Sequence, residues 1–584
     1  MQTTNSRFLS HAARTGAGAC LILLLAGCTQ DLSRFESRRN SRAPASEKDL
    51  GVLVRGASEL QMVHLLENSP HARFRNLTPQ AGFYEIYGVD VKGVRRELPK
   101  AHVTKNRLIP LNPNRDAMAR ARVYRALQTV QDFSAPTQCA AGEDEPLAEV
   151  RSLAPNDDVE FSALPRGSHV TLTSDRSESP LNANEKLRRA WVIINPESAA
   201  EKEVVQLGTT LDFDANDLGT YGVALVVQDK RDVCGTRFFQ FSTTENKKYL
   251  GRSPSSDKIA KTFDLSPFEH LKTLRAEDAW KTSQGEGMTI AVIDTGVNYN
   301  HALLRNQIAL NSKEIPENLI DDDGNGLVDD VLGWDYVMDD AFPFDDVGHG
   351  SHVTGLAVGF EIGLAQKAKY IPIKAMGGFG GDAGTVSAAI RYALARKAQI
   401  INMSIGKDGD LDDEVAAAVS EAEKAGALIV AAAGNGDPIT NLGVNTDTNP
   451  NYPSAFPNSN ILAVASATPE GDLESYSNFG PKSVDVATLG GKQGKGLKSA
   501  YLDNSQQLEF INYSGTSMAT PVAAGIAALV WSIHPSLSYA WVKSILIKAG
   551  TETTGLKGNI QSGRLLDAFS AISLAGESTL ASAP

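Results

Sequence analysis

The sequence predicts a doubly wound α/β domain with a mainly parallel sheet in its C-terminal half, preceded by a small α+β domain and an all-β sandwich. Three observations point there. Met288-Thr-Ile-Ala-Val-Ile-Asp294-Thr-Gly296 is an apolar run ending in a carboxylate and a glycine turn, the way a strand buried on both faces presents a residue at its carboxyl edge. Met518 to Ile533 is apolar all round, which reads as a helix buried on every side. Between Asn156 and Thr244 the pattern turns to period-two strands separated by turns, the spacing of a β-sandwich.

Taken in chain order, Arg7 and Arg14 precede an apolar run from Ala17 to Ala26 that is too short for a transmembrane helix, so residues 1–27 read as a signal segment. Leu25-Ala26-Gly27-Cys28 resembles a bacterial lipobox. The resemblance implies that Cys28 becomes the lipidated first residue of an exported, membrane-attached protein. Thr29 after the cysteine points to the outer membrane if the cell is Gram-negative. Residues 28–47 are polar and Arg/Ser-rich, a tether. Residues 48–111 alternate short elements: strands at Leu50 to Arg55, Ala72 to Leu77, Gly82 to Tyr87 and His102 to Ile109, and helices at Ala57 to Asn68 and Val91 to Leu98. That βαββαβ order is ferredoxin-like. Residues 112–155 form a linker with helical character. The sandwich follows at 156–245, with strands at His169 to Ser174, Ala190 to Ile194, Tyr221 to Gln228 and Arg237 to Ser242 and with Trp191 available for its core. Asp217-Leu218-Gly219-Thr220-Tyr221 resembles the Asp-x-Gly-x-Tyr corner of immunoglobulin-like domains. The α/β domain spans 265–575, and 576–584 is a tail.

Composition fits an exported globular protein: 584 residues, 42% hydrophobic, formal charge -13. The acidity disfavours nucleic acid as a partner. Beyond Cys20 and Cys28, Cys139 and Cys234 are an even pair in an oxidising compartment, which leads us to expect a disulfide.

The chemistry starts at Gly515-Thr516-Ser517-Met518-Ala519-Thr520-Pro521. Ser517 opens the apolar helix, where unsatisfied N–H groups and the positive end of the dipole favour a developing anion. Pro521 is expected in the first turn, where its missing N–H has no partner. In Gly348-His349-Gly350-Ser351-His352-Val353-Thr354-Gly355 a histidine opens another helix. Asp294, His349 and Ser517 are thus a candidate orienting acid, base and nucleophile. In this order and these contexts, Asp-Thr-Gly, His-Gly-Ser-His and Gly-Thr-Ser-Met-Ala-Thr-Pro resemble the subtilisin family of serine proteases over about residues 265 to 575. The resemblance implies a serine endopeptidase acting on polypeptide substrates through an acyl-enzyme on Ser517, with no cofactor in the chemistry. It also implies that the ferredoxin-like domain is an inhibitory prodomain.

Ala431-Ala-Ala-Gly434-Asn435-Gly436 follows the apolar strand Ala427-Leu-Ile-Val430 and supplies a candidate oxyanion donor, since Asn435 matches the family's side-chain donor. Ser404, Ile405 and Gly406 resemble the family segment that pairs with the substrate backbone and lines the primary specificity pocket; Ala432, Ala433 and Gly434 form the facing wall, and Gly378 to Gly381 the second substrate-pairing edge. With no acidic cluster at these segments, an uncharged or apolar side chain is expected before the cut. Tyr452-Pro453 resembles a turn that is cis in the family.

Asp321-Asp322-Asp323-Gly324-Asn325-Gly326-Leu327-Val328-Asp329-Asp330 opens like a calcium loop, with Asp321, Asp323, Asn325 and Asp329 as candidate ligands, but Leu332 stands where the bidentate Glu of an EF-hand would be. Similar acidic insertions in some subtilisin-like proteases are associated with Ca2+. Two other readings remain. One is a surface-binding lipoprotein with a silent protease fold; the other, a metal hydrolase using His349 and His352, lacks further ligands at zinc spacing.

Overall fold

The computed structural model describes residues 268–577 apart from 317, 379, 410–411, 438–439 and 503–509, and, ahead of them, the strands between Val52 and Thr244 given below with a few adjoining residues. The signal segment, Cys28, the tether, Cys139 and Asp217 lie outside the described residues.

A nine-stranded sheet forms the centre of the C-terminal half. Its strands in spatial order are Trp334–Asp335, Lys369–Lys374, Thr289–Asp294, Ile400–Met403, Leu428–Ala432, Ile461–Ala467, Val486–Leu489, Arg564–Leu565 and Thr551–Glu552. Neighbours are parallel except for the final pair. From Thr289–Asp294 the chain winds toward one edge, then returns to lay Ile400–Met403 on the other side of the same strand. Winding of this kind places a crevice at the carboxyl ends where it reverses, and Asp294 is the last residue of the strand at that point.

Alternation along the strands divides the core. Ile290 and Val292 join Leu428, Val430, Leu462 and Val464 on one face, under the helices His349–Val358, Thr516–Ile533 and Ala568–Glu577. Ala291 and Ile293 join Ile401, Met403, Ile429 and Ala431 on the other, under Ala383–Ala395 and Asp413–Ala425. Thr516–Ile533 is long and apolar enough to cross a membrane, yet it is the core helix, buried over 83% of its length.

Toward the N-terminus, the strands Arg73–Thr78, Phe83–Tyr87, Val52–Arg55 and His102–Lys105 form an antiparallel sheet in that spatial order. It rests on the second face of the α/β domain: Leu53 is buried in that core cluster, and Arg55 pairs with Glu421 at 2.6 Å. The strand expected to run unbroken from His102 to Ile109 is divided. Leu108–Ile109 leaves the small sheet and pairs antiparallel with the strand Gly380–Asp382, with Ile109 opposite Gly381 and Leu108 opposite Asp382.

Two further antiparallel sheets enclose a core of Val170, Leu172, Trp191, Ile193, Leu211, Tyr221, Val223, Leu225 and Val227. One holds Glu203–Leu207, Arg188–Ile194, Gly219–Gln228 and Cys234–Thr244, with Leu164–Pro165 added in parallel at its edge; the other holds Thr210–Ala215, Ser168–Thr173 and Arg151–Ser152. Arg151–Ser152 pairs with Thr173 and Leu172, so this unit begins before residue 156, inside the stretch expected to be linker.

Candidate active site

Asp294 is fully buried, and its Oδ1 accepts from the Thr295 N–H at 2.8 Å and from His349 Nδ1 at 2.7 Å. The first of these bonds fixes the carboxylate against its own turn; the second selects the His349 tautomer that carries its proton on Nδ1, leaving Nε2 basic. His349 is the first residue of its helix, after Gly348 in the left-handed conformation. A Cβ at Gly350 would collide with the Gly296 carbonyl, so glycine there lets the helix close onto the Asp294 turn.

Asp345, which the sequence reading missed, ties these two segments together. Its carboxylate accepts from Thr295 Oγ1, Ser351 Oγ and the N–H groups of Val347, Gly348 and Ser351, at 2.7–3.0 Å. Thr295 Oγ1 in turn accepts from the Gly350 N–H at 2.9 Å. Burial pushes the Asp345 carboxyl up from its ordinary range, opposed by these hydrogen bonds. Only its position four residues before His349 hinted at this role. His352, one turn along, is buried, its Nε2 bonded to the Leu497 carbonyl at 2.9 Å.

Ser517 lies in the first turn of Thr516–Ile533. Because that helix starts at Thr516, Pro521 falls in the second turn, not the first. Its missing N–H therefore leaves the Ser517 carbonyl without its intrahelical donor, and Ser404 Oγ takes that place at 2.8 Å. The Ser517 hydroxyl donates to the Ser404 carbonyl at 3.1 Å. These two bonds fix Ser517 to the residue just beyond Ile400–Met403, the strand beside Asp294. Asn435 is exposed, but its Oδ1 accepts from the Thr516 N–H at 2.8 Å and from Thr516 Oγ1 at 3.0 Å. With the oxygen assigned by a backbone donor, Nδ2 is the remaining donor end of the Asn435 amide, close to Gly515 at the start of the Ser517 helix.

The expected substrate walls meet at this corner. Ser404 touches Ser517 as described, and the Gly434 N–H donates to Thr516 Oγ1 at 3.2 Å. Tyr452-Pro453 is cis. The second edge, expected at Gly378 to Gly381, contributes Gly380–Asp382, which carries Leu108–Ile109.

In the acidic loop the grouping differs from the expected one. Asp321 uses both oxygens on the N–H groups of Asn325 and Gly326, Asp329 on those of Asn318 and Leu319, and Asn325 Oδ1 on Leu327. Side chains that follow a ligand spacing here serve the turn instead. Of the four expected ligands only Asp323 joins a cluster. Among the described residues, the one group of three metal-ligating side chains is Glu314, Asp323 and Asp330, with ligand atoms within 4.8 Å of one another. Glu314 Oε2 is buried without a hydrogen-bond partner. Burial, then repulsion from Asp330, Asp323 and Asp322, pushes the Glu314 carboxyl up, and burial does the same to Asp330. Crowded, desolvated carboxylates with an orphan oxygen fit a hard cation. Glu314 lies outside the acidic run, and only its fold-back onto Asp323 reveals it.

The Subtilase family model matches residues 285–564. Thermitase of Thermoactinomyces vulgaris is 32% identical over 298 residues, 49% of this chain and 91% of that one. Subtilisin-like protease 1 of Plasmodium berghei is 30% identical over 356 residues, covering 56% and 58%. An extracellular protease of Xanthomonas campestris is 30% identical over 300 residues, covering 47% and 49%. The chain thus spans about half the length of the last two relatives. Its match along nearly all of thermitase, together with a buried Asp294 bonded to His349 and Ser517 at a helix start, establishes that the chain belongs to the subtilase family of subtilisin-like serine-type endopeptidases.

Proposed function

We propose that this chain is an exported, lipid-anchored endopeptidase in which Ser517 is the nucleophile, His349 the base, Asp294 its orienting acid and Asn435 an oxyanion donor. The 2.7 Å bond from His349 to Asp294 is the observation that carries this reading. In attack, the Ser517 hydroxyl swings from the Ser404 carbonyl to donate to His349 Nε2, and Oγ forms its bond to the substrate carbonyl carbon as His349 takes the proton. The new oxyanion receives hydrogen bonds from Asn435 Nδ2 and the Ser517 N–H, which has no intrahelical acceptor so near the helix start. Collapse breaks the C–N bond, and His349 returns the proton to the leaving amine. Water then repeats the sequence on the acyl-enzyme.

Support for export comes from the relative named an extracellular protease and from the signal-like segment before Cys28. The pairing of Leu108–Ile109 with one substrate edge supports reading residues 48–111 as a ferredoxin-like inhibitory prodomain that lays its last strand where substrate would lie. The two sheets around Trp191 support an Ig-like spacer between prodomain and protease. Glu314, Asp323 and Asp330 would hold Ca2+, which would neutralise the loop without entering the chemistry.

A fluorophosphonate that labels the wild type and fails on Ser517→Ala tests the nucleophile and decides against a silent fold. Ser517→Ala is expected to lower turnover by roughly 10⁶, the magnitude set by the same nucleophile in subtilisin, and to leave one full-length lipidated species. Sequencing the N-terminus of the active species tests release: a new N-terminus soon after Ile109 or within Glu245 to Asp264 is expected in the soluble fraction. Active enzyme that begins at Cys28 and stays wholly membrane-bound would overturn that part.

A further inference from the structure

The strand Lys369–Lys374 ends beside Asp294 on a buried charge that the proposed reaction does not use. Lys374 stands opposite Asp294 at the carboxyl ends of the two strands, and the Ala375 N–H donates to the Asp294 carbonyl at 3.0 Å. Ile371 and Ile373 belong to the second core and Tyr370 to the first, so alternation aims Lys374 at the face that carries the His349 helix. Lys374 is 1% exposed. Its ammonium donates to the Phe344 carbonyl at 3.1 Å and to Asp346 Oδ1, whose carboxylate is as deeply buried. Lys374 thus grips the residues on both sides of Asp345, which takes Thr295 on one carboxylate oxygen and Ser351 on the other.

The grip is electrostatic. Asp345 and Asp346 are neighbouring buried carboxylates, and Asp335 of the adjoining edge strand also acts on Lys374. Asp294 and His349 lie across the turn, while Tyr299, edge-on to Phe344, stays neutral because burial raises its hydroxyl well above the usual range. Burial works against the ammonium, but Asp346, Asp335 and Asp345 outweigh it and keep the lysine charged. Burial also pushes the Asp345 carboxyl up, and a protonated Asp345 would lose acceptor capacity for the donors that seat the His349 helix. We propose that Lys374 is a positioning residue for the base: its buried ammonium seats the segment 344–346, and through it the Asp345 carboxylate that joins the Asp294 turn to the start of the His349 helix. The inference rests on the endopeptidase reading above. Lys374 and Asp346 are 28 residues apart in the chain, so neither segment alone displays the pair.

The test uses full-length processed enzyme, with active sites counted by fluorophosphonate and kcat and KM followed across pH on one peptide. Lys374→Met strands Asp346 as a buried carboxylate, so Asp345 and Asp346 should take up a proton together as a coupled pair. We expect kcat to fall by about tenfold or more with KM nearly unchanged, as a misaimed base warrants. The acid limb of kcat/KM should also rise in pH and steepen from one proton toward about two. Adding Asp346→Asn to Lys374→Met removes the stranded carboxylate and should restore the one-proton limb, an outcome that a packing role for Lys374 would not give. Asp346→Asn alone keeps the shape and loses the charge, so kcat should fall by roughly threefold to tenfold on a one-proton limb. A wild-type limb in Lys374→Met, a double variant as steep as the single one, or unchanged kcat in Asp346→Asn would overturn the proposal. The last comparison stands even if Lys374→Met does not fold. A wild type that does not label fails the endopeptidase reading itself.

Discussion

At the catalytic corner, polar side chains are held across long stretches of chain. Asp294 and His349 are 55 residues apart, Asn435 and Thr516 are 81, and Ser404 and Ser517 are 113. In the acidic loop, Asp321, Asp323 and Asp329 accept from N–H groups only 2 to 11 residues away. The corner therefore exists only when the whole sheet is folded, and each bond there positions a group proposed to act in the reaction. The loop can shape its own turns, but shaping them brings Glu314, Asp323 and Asp330 together, with Lys313 3.7 Å from Asp323 and Arg396 3.4 Å from Asp330. Substitutions at the corner should register as lost turnover with the fold retained, and those in the loop as altered calcium response with the chemistry retained.

The largest expected effect that would sharpen this contrast is at Asn435. Asn435→Ala should fold and still label, while turnover falls roughly 10² to 10³-fold, the range known for the equivalent donor in subtilisin. Thr516→Val keeps the N–H that aims Asn435 but removes the hydroxyl shared by Asn435 and Gly434, so a smaller loss, on the order of tenfold, is expected from one hydrogen bond. Equal losses in both variants would mean that Thr516 has a role of its own. Unchanged turnover in Asn435→Ala would remove it from the oxyanion site.

Calcium comes next. A ligand that binds only the folded chain stabilises it by about 2.7 kcal/mol at a hundredfold excess over Kd, which in a domain of this size is a few degrees of Tm. Calcium should give that increment to the wild type and to Asp321→Asn, whose carboxylate already serves two backbone donors. Glu314→Gln with Asp323→Asn should lose it. The increment should also shrink on mild acidification, because the raised Glu314 and Asp330 carboxyls then hold protons that compete with the ion. An equal response in wild type and double variant would move the site elsewhere.

How far each region was legible follows from the same contrast. The strand to Asp294, the helix openings at His349 and Ser517 and the all-round apolar core helix are local patterns, readable from a few consecutive residues. Asp345 acts through contacts with Thr295 and Ser351 on separate segments, and no motif announces it. The acidic loop shows the converse failure: its spacing was visible, yet Asp321, Asn325 and Asp329 are spent on backbone N–H groups, and the buried partner Glu314 lies outside the motif. Pro521 was misplaced by one turn because the helix starts at Thr516, and Ser404 Oγ, remote in sequence, satisfies the carbonyl that proline leaves bare.

The smallest expected effect separates His352 from His349, three residues apart on one helix. Burial lowers His352 to about 3 and His270 to about 4, with the Leu497 and Ile362 carbonyls opposing the shift only in part. His352 also faces His349, His270 and the Tyr513 ring. Because the folded chain resists protonation that the unfolded chain accepts near pH 6.5, stability is complete above that value and falls on acidification, down to the folded values near 4 and 3. At pH 5 each buried imidazole costs at most about 2 kcal/mol. Urea unfolding between pH 7 and 5 should therefore lose stability with a slope of up to about two protons in the wild type and one fewer in His352→Gln. The comparison is between slopes, so a uniform destabilisation by the substitution does not disturb it. An identical slope in the two proteins would show that His352 accepts its proton in the fold, and would place it with the solvent-accessible base at the corner instead of with the buried helix beneath it.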